Sequence, residues 1–209
     1  ARAYLETIQS LGFKPQKIIE LVSAKDVVTK KAVGKWLPKG IRKSYAAIIQ
    51  KNKIHYWPQN LLKEQSEFVN AILSEVREKL MFSRKLIDAA NAHLPLSTYS
   101  DNVESLLVDS LSDNKLFHYL SLESASSLLY TGGGLVPAKL LELQNLKFLH
   151  IHPGFLPNIR GADCSLWSTL LSGHTSATFF YMSPGIDTGD IIQPYWLPKF
   201  SFDVDVKSI

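Results

Sequence analysis

From Ser126 onward the chain alternates short apolar runs with glycine and proline. Apolar runs of roughly four to eight residues between such breakers are typical of buried strands, whereas helices show longer periodic patterns. Strand-like runs that alternate with helical patterns indicate parallel strands joined by helical crossovers. We therefore predict an α/β fold with a doubly wound, mostly parallel sheet, whose strands lie at residues 17–22, 127–130, 147–151, 178–182 and 190–193.

Helical patterns separate these strands, and glycine or proline marks several of their ends. The predicted helices are residues 2–12, closed by Gly12; 67–81; 103–111, from the spacing of Val103, Leu106, Leu107 and Leu111; 137–143; and 163–171, which Asp163 caps and Gly173 closes. We attribute the apolar stripes of the second and third helices to core packing. Over residues 23–58, which are irregular and basic, we expect loops and at most one short helix.

Composition narrows the class of protein. Of the 209 residues, 45% are hydrophobic and 20% are charged, which is an ordinary globular balance. The single cysteine, Cys164, excludes an intramolecular disulfide and a cysteine-only metal site, and it fits a reducing compartment. No apolar run approaches the roughly 20 residues that span a bilayer, and the N-terminus carries no signal pattern. We expect a cytoplasmic protein without a membrane partner.

The charge distribution leaves two interpretations open. The formal net charge of +4 comes from 23 Lys and Arg against 19 Asp and Glu, and much of the basic excess lies between Lys25 and Lys53. Charge runs of this kind usually keep a surface hydrated. The alternative is a basic face that attracts an anionic substrate or a nucleotide.

Two histidines are the first candidates for chemistry. His150 and His152 are two residues apart in a predicted strand, so both imidazoles lie on the same face of the sheet. Pro153 and Gly154 then end the strand. Because ligands of open α/β sheets bind beyond the carboxyl ends of the strands, this position predicts a functional site.

Asp187 is the candidate partner of these histidines. It lies in the glycine-containing loop at residues 184–189. A carboxylate close to a histidine stabilises the imidazolium form and suits the ring to proton exchange. Taken alone, Asp187 is equally well explained as a turn residue. Asp163 and Asp190 are better explained as a helix cap and a loop residue.

A glycine triplet follows the strand at residues 127–130. Gly132, Gly133 and Gly134 lack the spacing of a dinucleotide fingerprint, and no Lys-Ser or Lys-Thr pair follows them. The missing side chains do permit the backbone to approach a flat heteroaromatic ligand closely.

These features follow one another in a particular order along residues 127–192. The landmarks are Gly134-Leu135-Val136-Pro137, His150-Ile151-His152-Pro153-Gly154-Phe155-Leu156-Pro157, Arg160-Gly161, the helix that ends at Gly173, and Ile186-Asp187-Thr188-Gly189. In this order, over about a third of the chain, they resemble the folate-dependent formyltransferases, which include methionyl-tRNA, glycinamide ribonucleotide and sugar N-formyltransferases. The resemblance implies a single Rossmann-like catalytic domain over residues 1–209. We expect that it lacks its first strand, and the abrupt end at Ile209 leaves open whether C-terminal residues are missing too.

The resemblance also implies an activity and the residues for it. A formyl group would pass from 10-formyltetrahydrofolate to an amine, with His152 as the histidine that shuttles the amine's proton. Asp187 would orient this histidine or stabilise its charge. The implied folate-binding residues are Gly132, Gly133, Gly134, Leu135, Ser183, Pro184, Gly185 and Ile186. The resemblance implies no metal.

Two positions depart from the family pattern. His150 stands where the family has the asparagine that donates a hydrogen bond to the developing oxyanion, so we assign it as oxyanion donor or second proton carrier. Outright loss of such a donor costs about a hundredfold or more in rate. Gly154 replaces a family serine, and nothing in the sequence explains that change.

The acceptor and two other functions stay open. We expect a small, anionic amine such as an amino sugar or a nucleotide-linked sugar; methionyl-tRNA fits less well, because that enzyme normally carries a C-terminal RNA-binding domain for which this chain ends too early. One alternative is a metal-dependent hydrolase that uses His150, His152 and either Asp187 or Asp163. The other is a folate-binding homologue without turnover. The oligomeric state is not predicted.

Overall fold

The computed structural model describes residues 2–26, 28–54, 63–92 and 94–199. It divides into two compact units. The first comprises the described residues of Ala1–Ala71 and Ser83–His118, and the second comprises those of Ile72–Phe82 and Tyr119–Ile209. The prediction of a single domain over residues 1–209 stays a prediction.

The elements follow one another in an α/β order. The helices are α1 (Arg2–Ser10), α2 (Lys39–Ile54), α3 (Ser66–Leu80), α4 (Arg84–Asn91), α5 (Asn114–Ser121), α6 (Ala138–Leu141) and α7 (Cys164–Ser172), with a short 3-10 turn at Leu96–Thr98. The strands are β1 (Ile18–Ser23), β2 (Val103–Val108), β3 (Ser127–Leu129), β4 (Lys147–His152), β5 (Ser176–Tyr181) and β6 (Ile191–Trp196). No helix of the described residues is long and apolar enough to cross a membrane.

The first unit is built on a parallel pair of strands. Strand β1 pairs with β2 from Ile18 opposite Val103 to Ser23 opposite Val108. Helix α2 packs against this pair through Ala46, which is fully buried beside Val22 and Val33. Burial of these apolar side chains stabilises the contact, because each removes nonpolar surface from water.

Two predictions in this unit are wrong. Residues 103–108 form strand β2, although the spacing of Val103, Leu106, Leu107 and Leu111 predicted a helix. A short apolar run fits either period, and parallel pairing with β1 decides between them. In the basic stretch, where we expected at most one short helix, α2 runs for 16 residues. Pro38 directly precedes its first turn, and Gly40 lies in that turn, where neither residue breaks the helix.

Helix α3 confirms the predicted amphipathic helix, but not its predicted core packing. None of its described residues is buried, and Phe68 is 39% exposed. Helices α4 and α5 were not predicted. In α4, the side chain of Ser83 caps the first turn by accepting a hydrogen bond from the amide of Leu86 at 3.1 Å.

The second unit contains a four-stranded sheet in the order β3-β4-β5-β6. Strand β3 runs parallel to β4, whereas β4 pairs with β5, and β5 with β6, in antiparallel fashion. The predicted α/β class with parallel strands is confirmed by β1–β2 and β3–β4, and the antiparallel direction of β5 and β6 is an addition that the sequence did not indicate. Central strand β4 therefore has hydrogen-bonded neighbours on both sides.

The ends of helix α7 agree with the prediction. Asp163 occupies the N-cap position and Gly173 the C-cap position, both with left-handed backbone conformations at φ 55° and 74°. The Asp163 side chain makes no capping hydrogen bond. The helix therefore begins at the expected residue, although the Asp163 side chain does not cap it.

We expect Tyr99 to make the first unit sensitive to alkaline pH. The Tyr99 hydroxyl donates to the carboxylate of Glu6, and burial, followed by this hydrogen bond, raises the pKa of Tyr99 to about 12. A tyrosine in an unfolded chain ionises near pH 10. The contribution of Tyr99 is thus complete below about pH 10 and is lost as the pH rises through about 12.

Urea unfolding of wild type and Tyr99→Phe at increasing pH measures this contribution. Near neutral pH, the substitution should lower the free energy of unfolding by about 1–3 kcal/mol, because Glu6 is left buried without its donor. Above about pH 10 the difference should shrink. A difference that is independent of pH would contradict this role.

Candidate active site

Strand β4 brings the two predicted histidines to one face of the sheet. On the neighbouring strand β5, Phe180 lies opposite His150, and Thr178 lies opposite His152. The ring centroid of Phe180 is 6.0 Å from that of His150 and 6.5 Å from that of His152, edge-on in both cases. Phe180 is fully buried, so the two imidazoles share an apolar neighbour.

The predicted partner of His152 lies beside it. Nδ1 of His152 is 3.4 Å from Oδ1 of Asp187. The other carboxylate oxygen, Oδ2, accepts the backbone N–H of Gly161 at 2.7 Å. Gly161 has a φ of 95°, a conformation that favours glycine, so the Arg-Gly motif supplies the amide that holds the aspartate.

The second ring nitrogen of His152 is also occupied. Nε2 lies 3.0 Å from the carbonyl oxygen of Ile159, and the whole residue is only 2% exposed. A carbonyl and a carboxylate oxygen both accept, so each ring nitrogen needs a proton for its contact to be attractive. Only the imidazolium form of His152 satisfies both partners at once.

The loop that follows β4 is fixed over His152. Oγ1 of the fully buried Thr178 donates to the carbonyl oxygen of Gly154 at 2.6 Å and accepts the amide of Leu156 at 3.0 Å. The ring of Phe155 stacks on Trp196 with centroids 4.4 Å apart. Sequence reasoning missed Thr178 and Trp196. A polar residue two positions before Phe180, on the same buried face of a strand, was the available signal for Thr178.

The structure explains the glycine at position 154. A Cβ atom there would lie 2.6 Å from Nε2 of His152, 2.7 Å from the carbonyl oxygen of Ile159 and 2.9 Å from Cβ of Cys164. Any side chain would therefore separate His152 from Ile159. Glycine in place of the family serine is the residue that permits this hydrogen bond.

His150 has a different hydrogen-bonding state. Its Nδ1 lies 2.7 Å from the backbone carbonyl oxygen of Tyr130, and the two rings are 5.9 Å apart. The Tyr130 amide in turn donates to the carbonyl oxygen of Leu149, which continues the pairing of β3 with β4. Sheet pairing therefore fixes the acceptor that faces His150.

The glycine loop after β3 is braced by the same tyrosine. The Tyr130 hydroxyl donates to the carbonyl oxygen of Gly133 at 3.0 Å, and burial raises the pKa of Tyr130. A Cβ atom at Gly132 would lie 2.6 Å from that hydroxyl, whereas one at Gly133 would meet nothing within 4 Å. Leu135, the last predicted folate-binding residue of this loop, is 68% exposed.

The second predicted folate-binding segment begins the loop that carries Asp187. The hydroxyl of Ser183 donates to that of Thr188 at 3.2 Å, and the Thr188 hydroxyl also lies 3.0 Å from the carbonyl oxygen of Pro184. Gly185 has a φ of 131°, and Ile186 is 55% exposed. The structure describes every residue of this segment and of the glycine loop, and no hydrogen bond joins the two.

Cys164 lies close to the aspartates but is not set up as a nucleophile. Burial, followed by the negative charges of Asp187 and Asp163, raises the pKa of its thiol. The thiol donates to the carbonyl oxygen of Gly161 at 3.1 Å. A thiol held in its protonated form is a poor nucleophile.

The ligand set of a metal-dependent hydrolase is not assembled. Within the described ranges, no three His, Cys, Asp or Glu side chains are grouped so that they could hold a metal ion. His152 uses both ring nitrogens on Asp187 and Ile159, and His150 uses Nδ1 on Tyr130. The two histidines and a carboxylate therefore do not form the site that this alternative requires.

A comparison with known families identifies the class of protein. The family model described as formyl transferase matches residues 17–198, and the chain belongs to this family. The resemblance inferred from residues 127–192 is confirmed. The formyl donor of the family is 10-formyltetrahydrofolate.

Curated relatives match over shorter segments. The methionyl-tRNA formyltransferase of Syntrophus aciditrophicus (strain SB) is 40% identical over 62 residues, which are 29% of this chain and 20% of that protein. The methionyl-tRNA formyltransferase of Orientia tsutsugamushi (strain Boryong) is 32% identical over 96 residues, or 44% of this chain and 31% of that protein. The chain therefore spans less than a third of the length of either relative.

Solved structures of formyltransferases are also similar. Phosphoribosylglycinamide formyltransferase from Bacillus halodurans is 20% identical, with a TM-score of 0.41 over 49% of this chain and 57% of that chain. A sugar N-formyltransferase from Shewanella sp FDAARGOS_354 is 17% identical, with a TM-score of 0.38 over 65% of this chain and 54% of that chain.

We expect Gly154→Ala to destabilise the protein by about 1–3 kcal/mol, because the added methyl group overlaps three atoms in a packed region. Gly133→Ala is the matched control, since its Cβ meets nothing within 4 Å, and it should change stability by less than about 0.5 kcal/mol. Thermal or urea unfolding measures both. Equal stabilities of the two variants would contradict the close packing of Gly154 against His152.

Proposed function

We propose that this chain transfers a formyl group from 10-formyltetrahydrofolate to a primary amine. The observation that carries the proposal is the pairing of His152 with Asp187 at 3.4 Å, within residues 17–198 that the family model matches. Formyl transfer requires that the attacking amine lose a proton and that the leaving folate nitrogen gain one. A histidine cluster with a charged partner supplies groups for both transfers.

The catalytic group in this proposal is the cluster of His150, His152 and Asp187. Asp187 balances the charge of the His152 imidazolium and holds its orientation through one carboxylate oxygen. Gly161 fixes Asp187 through the other oxygen. A positive charge held in a buried position stabilises the negative charge that develops on the formyl oxygen during attack.

The two loop segments suit a folate. Exposed Leu135 and Ile186 offer apolar contacts for a flat ring, and Gly133 and Gly185 carry no side chains that would block its approach. We propose that these segments, Gly132–Leu135 and Ser183–Ile186, bind the reduced folate through their backbone groups. The bound folate supplies the activated formyl carbon.

For the acceptor, we propose a small anionic amine such as an amino sugar phosphate or a nucleotide-linked amino sugar. The net charge of +4 favours attraction of an anion. A second candidate acceptor is methionyl-tRNA, because the curated relatives are methionyl-tRNA formyltransferases. Competition between such acceptors in one formylation assay decides between the two classes.

We propose that the chain acts as one catalytic domain and that it works in the cytoplasm, where the free thiol of Cys164 stays reduced. A folate-binding homologue without turnover is the remaining alternative. It predicts the same folate affinity but no formyl transfer to any amine.

We expect 5-formyltetrahydrofolate, a stable reduced folate, to bind in calorimetry and to lose at least tenfold in affinity in Gly133→Trp. The indole would fill the space above the glycine loop, because a Cβ atom added at Gly133 would meet nothing within 4 Å. Leu122→Trp is the matched control, because Leu122 is 72% exposed outside both loops. Equal affinities of the two Trp variants would remove the glycine loop from the folate site.

Formyl transfer should depend on the His152–Asp187 pair. With the acceptors named above, His152→Ala should lower kcat by about a hundredfold or more, because loss of a buried group that stabilises the oxyanion costs rate on this scale. Asp187→Asn should cost less, since its amide oxygen still accepts the Gly161 N–H. Asp190→Asn, an exposed aspartate of the same region, is the control and should retain full activity.

A further inference from the structure

The two histidines of β4 differ in whether a ring nitrogen is available to accept a proton. In His152, Nδ1 faces a carboxylate oxygen at 3.4 Å and Nε2 faces a carbonyl oxygen at 3.0 Å. Both nitrogens carry protons when both contacts are satisfied, so the ring holds no lone pair that could accept another proton. A His152 ring that satisfies both contacts is an imidazolium beside Asp187, and an imidazolium cannot act as a base.

His150 has the opposite character. The Tyr130 carbonyl oxygen at 2.7 Å can only accept, so Nδ1 of neutral His150 carries the ring proton. Nε2 then has a free lone pair, and it forms no hydrogen bond to any described residue. Two side-chain atoms of the described residues are buried without a hydrogen-bond partner, Nη1 of Arg2 and Oγ1 of Thr175. Nε2 of the half-buried His150 also has no partner but is not one of these buried atoms, so it is accessible to solvent.

The surroundings of His150 keep this arrangement in place. Its ring contacts Tyr130 at 5.9 Å and the fully buried Phe180 at 6.0 Å. The Tyr130 phenol is directed to the carbonyl oxygen of Gly133, and Phe180 has no polar group. Neither neighbour competes for Nε2.

From these contacts, and on the basis of the proposed formyl transfer, we infer that His150 is the catalytic base and that it accepts the amine proton through Nε2. His152 and Asp187 form a fixed ion pair beside it. This assignment resolves the two roles that the sequence left open for His150. A neutral His150 with Nδ1 bound to Tyr130 cannot donate from Nε2, so it does not replace the family asparagine as an oxyanion donor.

Nε2 of His150 carries the proton from the amine to the folate nitrogen, and the electrons balance in the following way. The amine nitrogen forms a bond to the formyl carbon, the carbonyl π electrons move to the formyl oxygen, and the amine proton passes to Nε2 of His150. When the oxyanion collapses, the bond between the formyl carbon and the folate nitrogen breaks, and the resulting imidazolium of His150 returns the proton to that nitrogen. His150 ends neutral, as it began.

Nitrogen-15 NMR of the histidine-labelled full chain tests the protonation states directly. Spectra of His150→Asn and His152→Gln assign the two rings. We expect neutral His150 to show a protonated Nδ1 and an unprotonated Nε2, and His152 in its ion pair with Asp187 to show protons on both ring nitrogens. His174, whose Nδ1 lies 3.1 Å from the carbonyl oxygen of Leu197, is the internal reference for an Nδ1-bound ring. A proton on Nε2 of neutral His150 would overturn the inference.

Kinetics distinguish a base from an oxyanion donor. His150→Asn restores the family's hydrogen-bond donor but removes the base, so we expect kcat to fall by about a hundredfold or more with the fastest amine of the acceptor panel. His174→Asn is the control and should retain the wild-type rate. Full or increased activity of His150→Asn would show that position 150 serves the oxyanion and would overturn the inference.

Added bases provide the second kinetic test. In His150→Gly, imidazole and 4-methylimidazole should restore turnover, and the more basic 4-methylimidazole should be more effective, because proton transfer follows basicity. His152→Gly should not respond in this way. Rescue of His152→Gly alone would assign the base to His152 instead.

Failure of the proposed function has a different signature. Wild type that binds 5-formyltetrahydrofolate but formylates no amine would overturn the formyl transfer and, with it, the role of His150 as base. Active wild type with a fully active His150→Asn would overturn only the role of His150.

Discussion

The pairing of strand β4 with a neighbour on each side is the constraint on which the site depends. Because side chains alternate along a strand, this pairing sends both histidines to the same face, opposite Phe180 and Thr178 of β5. The parallel pairing with β3 directs the Tyr130 carbonyl to His150. A shift of one residue in either register would turn the imidazoles to the opposite face and separate each from its partner.

Hydrogen-bonding capacity then gives the two imidazoles different states. His152 is enclosed between Asp187 and the carbonyl of Ile159, in a loop that Thr178 fixes from the adjacent strand. His150 has one bound nitrogen and one accessible nitrogen. Buried polar atoms are costly without partners, so the contacts around each ring determine which protons it carries. Chemically identical side chains, two residues apart, thereby acquire separate roles.

Prediction from the sequence succeeded where glycine or proline marked the ends of short apolar runs. It failed where the spacing of the apolar residues fitted both a helix and a strand. The strands at 147–151 and 178–182 and the helix that ends at Gly173 lie within one or two residues of their observed bounds. Residues 103–108 fitted a helical spacing until their partner strand was known. In the same way, α2 lies in a basic stretch whose helical character depends on burial of Ala46 against the strand pair. Local pattern cannot supply contacts that come from distant residues.

The sequence by itself determined the family, through the order of its landmarks, and named His150, His152 and Asp187 as the chemical residues. It could do so because strand periodicity and glycine positions are local properties of the chain. Only the tertiary structure decided the antiparallel direction of β5 and β6, the need for glycine at position 154, and the partner of each imidazole nitrogen. Hydrogen-bond partners from separate segments meet only after folding, so no pattern along the chain encodes which nitrogen stays free.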